Sequence, residues 1–350
     1  CCNGRGEEGE ESPLFSPKPE DDGSECRLSE ELRLLAQTEL REDDATRVHA
    51  LQQMREWIEK HPDIKRCRTG YIDEVLFVVA LLMALDVNSS DSPFLLRFLR
   101  TKKFSIPLAQ EMLERYLVIR QLYPHWFRGL DVDDPAISEL LEQGYIVPLP
   151  QRDDFGRQVI LTCAARFDPY KYTSAHMARA HSVVVECLMD DEENQIRGYS
   201  YCNDESGLTM GHISLWSLSD IRKILRCIQN STPMRHKATH FFNVPHYANK
   251  VFEFFIALLS DKLKDRIKLH TSIDDLKDAV NQKILPKEYG GEIPLSDMIA
   301  QFQKRLQERR EIIKTLDKME IEVNPKAKYV ADMEDELAGI AGSFRQLQVD

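Results

Sequence analysis

Few residues of this sequence have the spacing that catalysis or metal binding requires. His236 and His240 come nearest to a zinc-protease motif, but no glutamate stands between them and the surrounding pattern is that of a strand, which separates the two imidazoles. Gly198-Tyr199-Ser200 lacks the second glycine of a hydrolase nucleophile turn, and no glycine-rich phosphate loop follows any strand. The sequence therefore predicts no catalytic residue, no metal ligand and no cofactor, so we expect a binding protein and not an enzyme.

The strongest chemical signal is a group of cations inside an acidic protein. The chain of 350 residues has a formal net charge of -12, yet residues 220–270 hold ten Lys or Arg against four Asp or Glu. Four of these cations form two pairs that each share a face, on a strand and on a helix: Arg235 with Lys237, and Lys262 with Arg266. Such a group favours docking on an anionic membrane surface, whereas the overall negative charge disfavours nucleic acid. A solvated rim of alternating charges is the alternative, because acidic residues lie between the lysines.

The segment between the two pairs of cations, His246–Ser260, predicts a helix that is unusually apolar. Its apolar residues cover an arc of about 200°, wider than the stripe of an ordinary surface helix. One interpretation is a core helix that packs between a sheet and its neighbour. The other is a lid that covers a cavity when closed and meets lipid when open.

The elements that must position these residues change in type along the chain. From Leu28 to about Tyr123, apolar residues recur three and four apart, which predicts helices. From Gly144 onward strands alternate with helices, which predicts an α/β fold with a mostly parallel sheet. The predicted strands are Val159–Cys163, Ile196–Asn203, Ala238–Asn243 and Ile267–His270, and the predicted helices are Thr173–Asp190, Ser217–Asn230, His246–Ser260 and Leu295 to about Lys318.

Charge and composition predict the domain organisation. Residues 1–25 carry eight acidic side chains against two basic ones, so we expect a disordered leader over residues 1–27. A helical domain would follow at 28–130 with a possible insertion at 70–90, then an α/β domain at 131–293, and a final helix with a loose tail at 294–350. Eight scattered cysteines without a CxxC pair indicate a reducing, intracellular compartment. The longest apolar run, Val75–Leu85, is too short to span a bilayer.

Several blocks of the sequence resemble the CRAL-TRIO lipid-binding family, and in particular its alpha-tocopherol transfer protein-like and cellular retinaldehyde-binding protein-like members. The blocks occur in the family's order and are DSPFLLRFLRTKKF at 91–104, the segment 144–160 that ends in DDFGRQVI, the segment 198–212, PMRHKATHFFNVP at 233–245, the segment 262–270, and LPKEYGGE at 285–292. The resemblance implies a helical N-terminal domain followed by a CRAL-TRIO α/β domain, in which a mostly parallel sheet floors a lipid pocket under a mobile gate helix. It also implies that Arg97 and Arg100 join the two domains by ion pairs.

The resemblance further implies two sets of binding residues. A phosphoinositide site would consist of Arg235, Lys237, Lys262 and Arg266. The lipid pocket and its gate would be formed by Tyr199, Tyr201, Met210, Ile228, Phe241, Tyr247, Val251, Phe254 and Phe255.

Together these features predict an intracellular carrier that binds a small hydrophobic lipid, of tocopherol, retinoid or similar isoprenoid type. We expect it to be a cytoplasmic monomer that associates reversibly with phosphoinositide-containing membranes, endosomal or plasma membrane, and exchanges its lipid there. The alternative is a phosphoinositide-binding adaptor or trafficking scaffold with a structural or vestigial pocket, whose charged terminal helix recruits a protein partner. A retinoid-directed enzyme is a third, which the missing catalytic residues disfavour.

Overall fold

The computed structural model describes residues 28–68 and 92–324. The predicted leader at 1–27, the predicted insertion at 70–90 and the end of the predicted tail lie outside the described residues. The first half of the described chain is helical, as the periodicity predicts. Its elements are α1 (Glu30–Leu40), α2 (Asp44–Lys60), the short strand β1 (Ile64–Arg66), α3 (Ser92–Thr101), α4 (Ile106–Leu122), α5 (Pro124–Phe127) and α6 (Pro135–Glu142).

Side-chain caps fix where several of these helices begin. The Ser29 hydroxyl accepts a hydrogen bond from the Leu32 amide, and the Asp43 carboxylate accepts one from the Thr46 amide. Ser105 precedes α4, but its side chain makes no capping hydrogen bond, and a proline occupies the first turn. The first turn of a helix has backbone amides without a partner inside the helix, so it begins where a side chain accepts from one of them or where proline leaves one out.

A five-stranded sheet forms the second half, in the order β2-β3-β4-β5-β6. β2 pairs antiparallel with β3, and the other neighbours are parallel, which confirms the predicted α/β class with a mostly parallel sheet. The strands are β2 (Ile146–Pro148), β3 (Gln158–Cys163), β4 (Tyr199–Asp204), β5 (His236–Phe242) and β6 (Ile267–Leu269). The helices are α7 (Ser174–Met189), α8 (Glu192–Arg197), α9 (Met210–Ser214), α10 (Leu218–Asn230), α11 (Asn249–Ala257), α12 (Asp261–Lys264), α13 (Ile273–Lys277) and α14 (Leu295–Lys314).

Two predicted strand boundaries were wrong. Ile196 lies in α8 and not in a strand, because the Asp191 side chain caps that helix and Gly198, with a φ of 88°, ends it before β4 begins. Asn243 is not part of β5, since its φ of 55° turns the chain out of the sheet.

The single helix predicted for His246–Ser260 was also wrong. This stretch forms a 3₁₀ turn at His246–Ala248 and then α11, and Ser260 is extended as the N-cap of α12. Likewise the last long helix ends at Lys314, followed by a 3₁₀ turn at Thr315–Lys318. Both stretches are helical in the predicted places but shorter than the apolar pattern suggested.

The sheet separates two apolar cores. One face contributes Ile160 and Tyr199 to a large core that also contains buried residues of α2, α3, α4, α6, α7 and α14. The other face contributes Leu161, Cys202 and Phe242 to a smaller core, which residues 276–298 complete. α14 buries Phe302 and Leu306 in the large core, so this helix is part of the fold.

Buried ion pairs link the N-terminal helices to the α/β half. Arg97 of α3 pairs with Glu186 at 2.7 Å and with Asp190 at 2.6 Å. Arg100 pairs with Glu192 at 2.7 Å, and with Glu42 of the helical half at 2.6 Å. Burial opposes ionisation of Asp190, but nearby arginines outweigh it and hold its pKa well below the usual range. The ion pairs expected of Arg97 and Arg100 are confirmed.

A second, two-stranded sheet ties the C-terminal end of the described chain to the N-terminal helices. β1 pairs antiparallel with β7 (Glu320–Ile321), with Ile64 opposite Ile321. The Glu322 amide also donates to the Asp63 carbonyl at 2.8 Å. The part of the predicted loose tail that is described is therefore paired.

Candidate functional site

The segment formed by the 3₁₀ turn at His246–Ala248 and α11, called the gate segment below, covers one end of the sheet. Phe252 contacts Phe241 of β5 edge to face, with ring centroids 5.2 Å apart. The strand register places Asn203 beside Phe241 and Tyr201 beside Thr239, so these side chains point to the sheet face that α7 also covers. The gate segment and α7 thus lie over neighbouring parts of one face.

No residue of α11 is buried, although most of its residues are apolar. Phe254 is 44% exposed and Tyr247 is 56% exposed, while Val251 and Phe255 are half-buried. Among the described side-chain hydrogen bonds, the Tyr247 hydroxyl donates from the start of this segment to the Leu208 carbonyl. Just beyond the segment, the Ser260 amide donates to Gln229 Oε1 of α10 at 3.2 Å. Because none of its residues is buried, α11 is not a core helix of the described structure.

Four side chains on this side of the sheet keep part of their surface accessible: His181 of α7, Tyr201 of β4, and Thr239 and Phe241 of β5. Burial nevertheless lowers the pKa of His181 to about 4. Tyr201 stacks on His181, and Phe241 lies against Phe252 of the gate segment. A space beneath the gate segment would be lined by these side chains.

The predicted pocket residues differ in burial. Tyr199 is 1% exposed and belongs to the large core, where its hydroxyl donates to the Leu188 carbonyl at 3.3 Å. Met210 and Ile228 are exposed. Tyr201, Phe241, Val251 and Phe255 are partly accessible, and their role in a pocket stays a prediction.

Phe252 is absent from the predicted pocket residues, although it contacts Phe241 of the sheet. The helical wheel could have indicated it, because Phe252 and Phe255 lie three residues apart on one face. The wheel alone could not rank them, since nearly every position of the segment is apolar.

Three of the four predicted cations, Arg235, Lys237 and Arg266, lie close to one another, and the four differ in their partners. Arg235 Nη2 is 2.5 Å from Glu39 Oε2 of α1, and Lys237 Nζ is 3.0 Å from the same oxygen. Arg266 donates through Nη1 to the His236 carbonyl, and burial together with the charge of Arg235 lowers the pKa of Arg266. Lys262 is exposed and has no ion-pair partner among the described residues. We call these four residues the cationic patch.

Two further charged residues, Glu39 and Lys102, belong to the surroundings of the patch and are absent from the predicted site. Glu39 neutralises part of it, and hydrogen bonds from Arg235 and Lys237 overcome the effect of burial and lower the pKa of Glu39. Lys102, after α3, is close enough that burial and the charges of Arg115 and Lys262 lower its pKa. Lys102 lies in the block DSPFLLRFLRTKKF and could have been considered, whereas no local signal identifies Glu39.

The motifs considered for metal binding have other partners. The His236 ring bonds to Thr239 Oγ1 at 2.5 Å, whereas His240 Nδ1 and His270 Nε2 are 2.9 Å apart on the opposite face of the sheet. No group of His, Cys, Asp and Glu in the described ranges could hold a metal ion. Residues 28–68 and 92–324 also include no helix long and apolar enough to cross a membrane.

Comparisons with known proteins agree with this architecture. The family model described as CRAL/TRIO domain matches residues 142–291. Clavesin-1 of Xenopus laevis is 32% identical over 261 residues, which cover 74% of this chain and 72% of that protein. Clavesin-2 of Homo sapiens is 30% identical over 272 residues, which cover 77% of each chain. The crystal structure of Sfh5 aligns with a TM-score of 0.47 at 13% identity, over 76% of this chain and 99% of that one.

Proposed function

Because this chain belongs to the CRAL/TRIO family of lipid-binding proteins, we propose that it carries a small hydrophobic lipid beneath the gate segment and exchanges it at membranes that contain phosphoinositides. The observation that carries the proposal is the apolar helix α11, which covers half-buried side chains of the sheet and has no buried residue itself. A lipid chain in that space would complete the packing that the protein leaves unfinished.

The energetics of lipid transfer favour a carrier of this kind. Removing a chain of about a dozen carbons from a bilayer into water costs ~10 kcal/mol, at ~0.8 kcal/mol for each methylene. An apolar pocket in the protein would replace the bilayer interior as the environment of the lipid chain and so remove most of this cost. Transfer then requires that the protein touch the membrane. Four cations at about 1 kcal/mol each give a contact that is specific but still reversible.

The cationic patch lies where it would meet the membrane together with the gate segment. Lys262 belongs to α12, which follows the gate segment directly, and Arg266 precedes β6. Glu39 supplies a single carboxylate to Arg235 and Lys237, whereas a phosphoinositide headgroup supplies several negative charges. We therefore infer that the headgroup replaces Glu39 on these two cations. Peripheral, reversible association with endosomal or plasma membranes follows as part of the same proposal.

A transfer assay tests the patch. Movement of a fluorescent tocopherol between vesicles is measured with and without phosphatidylinositol bisphosphate in the acceptor. We expect Lys262→Glu with Arg266→Glu to slow transfer at least about tenfold, only with the phosphoinositide present. Lys262→Glu alone should slow transfer less than the double variant does. Because Lys262 is exposed, this single variant should fold normally and so controls for a folding defect in the double variant.

The matched control reverses the same amount of charge elsewhere. Lys287 and Lys304 are exposed and lie outside the patch, so Lys287→Glu with Lys304→Glu should transfer lipid normally. Equal slowing in both double variants would mean that only net charge matters, and the patch would have no specific role.

The adaptor alternative is weakened by the terminal helix. α14 buries five apolar residues, and its Arg305, Arg309 and Arg310 pair with Asp191, Asp190 and Asp131. These three arginines therefore pair within the protein, whereas Lys304, Glu308 and Glu311 of the same helix are exposed. Mass spectrometry of an organic extract separates the two proposals, because a carrier should yield a stoichiometric lipid and an adaptor none.

A further inference from the structure

The residue that turns the chain from β5 toward the gate segment has an unusual backbone conformation. Asn243 has a φ of 55°, in the left-handed region, which asparagine adopts more readily than most residues that carry a side chain. Its Nδ2 donates to Asp204 Oδ1, at the end of β4, at 2.9 Å. Val244 and Pro245 then lead into the gate segment. The hydrogen bond to Asp204 therefore fixes the direction in which the chain leaves the sheet.

Asp204 is buried, and the described hydrogen bonds to its carboxylate come from neutral donors. Besides Asn243, the Ser206 amide donates to Oδ1 at 3.0 Å, and the Tyr289 phenol donates to Oδ2 at 2.8 Å. Burial, Cys163 and Asp204 raise the pKa of Tyr289, so the phenol keeps its proton and is the donor. Because a buried carboxylate that lacks donors is costly, these bonds restrict where Asp204 can lie.

Tyr289 is held by the smaller core, on the sheet face opposite the gate segment. It ends a 3₁₀ turn at Lys287–Tyr289, and its ring lies edge to face against buried Phe242, with centroids 5.9 Å apart. Gly290 follows with a φ of 93°, and its carbonyl accepts from Gln282 Nε2 at 2.6 Å. The turn and the smaller core therefore set the position of the phenol.

The loop that follows Asp204 contacts the gate segment as well. The Glu205 amide donates to the Phe242 carbonyl at 3.0 Å, and the Leu208 amide donates to the Glu205 carbonyl at 3.1 Å. The Leu208 carbonyl in turn accepts from the Tyr247 hydroxyl of the gate segment. Both the turn at the end of β5 and the first residues of the gate segment are thus attached to the end of β4.

We propose that Tyr289 is a positioning residue for the gate segment, and that it acts through Asp204 on Asn243 to hold this segment against the sheet. The inference rests on the proposed function in taking the gate segment as movable, and goes beyond it by assigning control of the movement to a residue on the opposite face of the sheet. Without the phenol, Asp204 loses a donor, Asn243 is held less firmly, and the gate segment leaves the sheet more often.

Hydrogen–deuterium exchange of the full chain, followed by mass spectrometry of its peptides, measures this movement without any lipid. α11 has nine residues and is too short to persist away from the sheet, so its hydrogen-bonded amides exchange when it opens. Tyr289→Phe removes one hydrogen bond to a buried carboxylate and should speed exchange in α11 about tenfold. α7, which packs in the large core, should keep its rates.

A second variant tests whether Tyr289 acts through Asn243. Asn243→Gly keeps the positive φ accessible but removes the hydrogen bond to Asp204, so it should also speed exchange in α11. Adding Tyr289→Phe to Asn243→Gly should then speed exchange by only about threefold or less, because the hydrogen bond at Asn243 is already absent.

Tyr116 provides a matched control for the loss of a phenol. Its hydroxyl donates to Glu186 Oε1 at 2.6 Å, so Tyr116→Phe also removes a tyrosine hydrogen bond from a buried carboxylate. This pair joins α4 to α7, on the other side of the sheet from Tyr289. Tyr116→Phe should therefore leave exchange in α11 unchanged.

Three results would each overturn the inference: unchanged exchange of α11 in Tyr289→Phe, equal acceleration in α11 and α7, or effects of Tyr289→Phe and Asn243→Gly that multiply in full. None of them bears on lipid binding, because the exchange is measured without lipid. Failure of the parent chain to transfer the fluorescent tocopherol would overturn the carrier function and leave the result for Tyr289 standing. The two failures are therefore distinguishable.

Discussion

α7 and the gate segment lie over neighbouring parts of the same sheet face, but only α7 buries residues of its own in the core. Eleven residues of α7 are buried, among them Val183, Val184 and Leu188, whereas α11 has none. Both helices are rich in apolar residues. The difference shows that an apolar sequence alone does not determine whether the rest of the protein buries that segment.

The most disruptive test breaks the packed region. Arg97→Ala should lower the free energy of unfolding by about 3–5 kcal/mol, because it leaves Glu186 and Asp190 buried without their main cation. Urea unfolding measures this. Phe254→Ala, at an exposed position of the gate segment, should cost less than about 1 kcal/mol and is the contrasting control. Similar costs for both variants would remove the distinction between the two regions.

The next test sharpens the comparison within the gate segment. Phe252→Glu places a carboxylate against Phe241 and should reduce loading of a fluorescent tocopherol by at least about tenfold. Phe254→Glu, which sequence analysis alone would have favoured, lies at a more exposed position and should reduce loading less. If Phe254→Glu proved the more damaging, the inward face of α11 would have to be reassigned.

Acid should destabilise the protein partly through the loosely packed region. The lowered pKa of about 4 for His181 and His236, and for His240 outside that region, means that the unfolded chain binds more protons between about pH 6.5 and pH 4. Stability therefore falls as the pH falls through this window. Glu205, with its pKa raised to about 7, acts in the opposite direction.

A histidine variant isolates one contribution to this pH dependence. His181→Gln should reduce the slope of unfolding free energy against pH by up to ~1.4 kcal/mol for each pH unit between pH 4 and 6.5. Chemical unfolding at several pH values measures the slope, with His49→Gln at an exposed position of α2 as the matched control. An unaltered slope in His181→Gln would mean that His181 is not desolvated under the gate segment.

The smallest expected effect concerns Glu39. Glu39→Gln removes the carboxylate that pairs with Arg235 and Lys237, and should raise the affinity for vesicles with phosphatidylinositol bisphosphate about threefold. Vesicle co-sedimentation measures this, and Glu59→Gln, at an exposed position of α2, corrects for the lost negative charge. Weaker binding of Glu39→Gln would show that Glu39 orders the two cations and does not compete for them.

Regular parts of the fold could be predicted from the sequence because their signals are local. The segment Thr173–Asp190 was predicted as a helix, and α7 occupies Ser174–Met189; the predicted strand Val159–Cys163 is β3 with one residue added. In both cases a sustained apolar pattern agrees with the tertiary environment.

Other features could not be predicted because they depend on distant contacts or single backbone angles. The end of α8 depends on the positive φ of Gly198. The separation of α11 from α12 depends on the extended conformation of Ser260. Glu39 reaches the cationic patch from nearly two hundred residues away along the chain. The four cations themselves were selected by shared faces and by resemblance, and their role remains a prediction.

The pairing of β1 with β7 limits how this protein could open. Because Ile64 and Ile321 are held opposite each other, the N-terminal helices are attached both to α7 and α8, through Arg97 and Arg100, and to the chain after α14. Rotation of one half against the other would break all of these contacts together. Displacing the gate segment would break the hydrogen bond from Tyr247 to Leu208 and the ring contact between Phe252 and Phe241, so a hinged movement of this short segment disturbs fewer contacts than a rotation of the two halves.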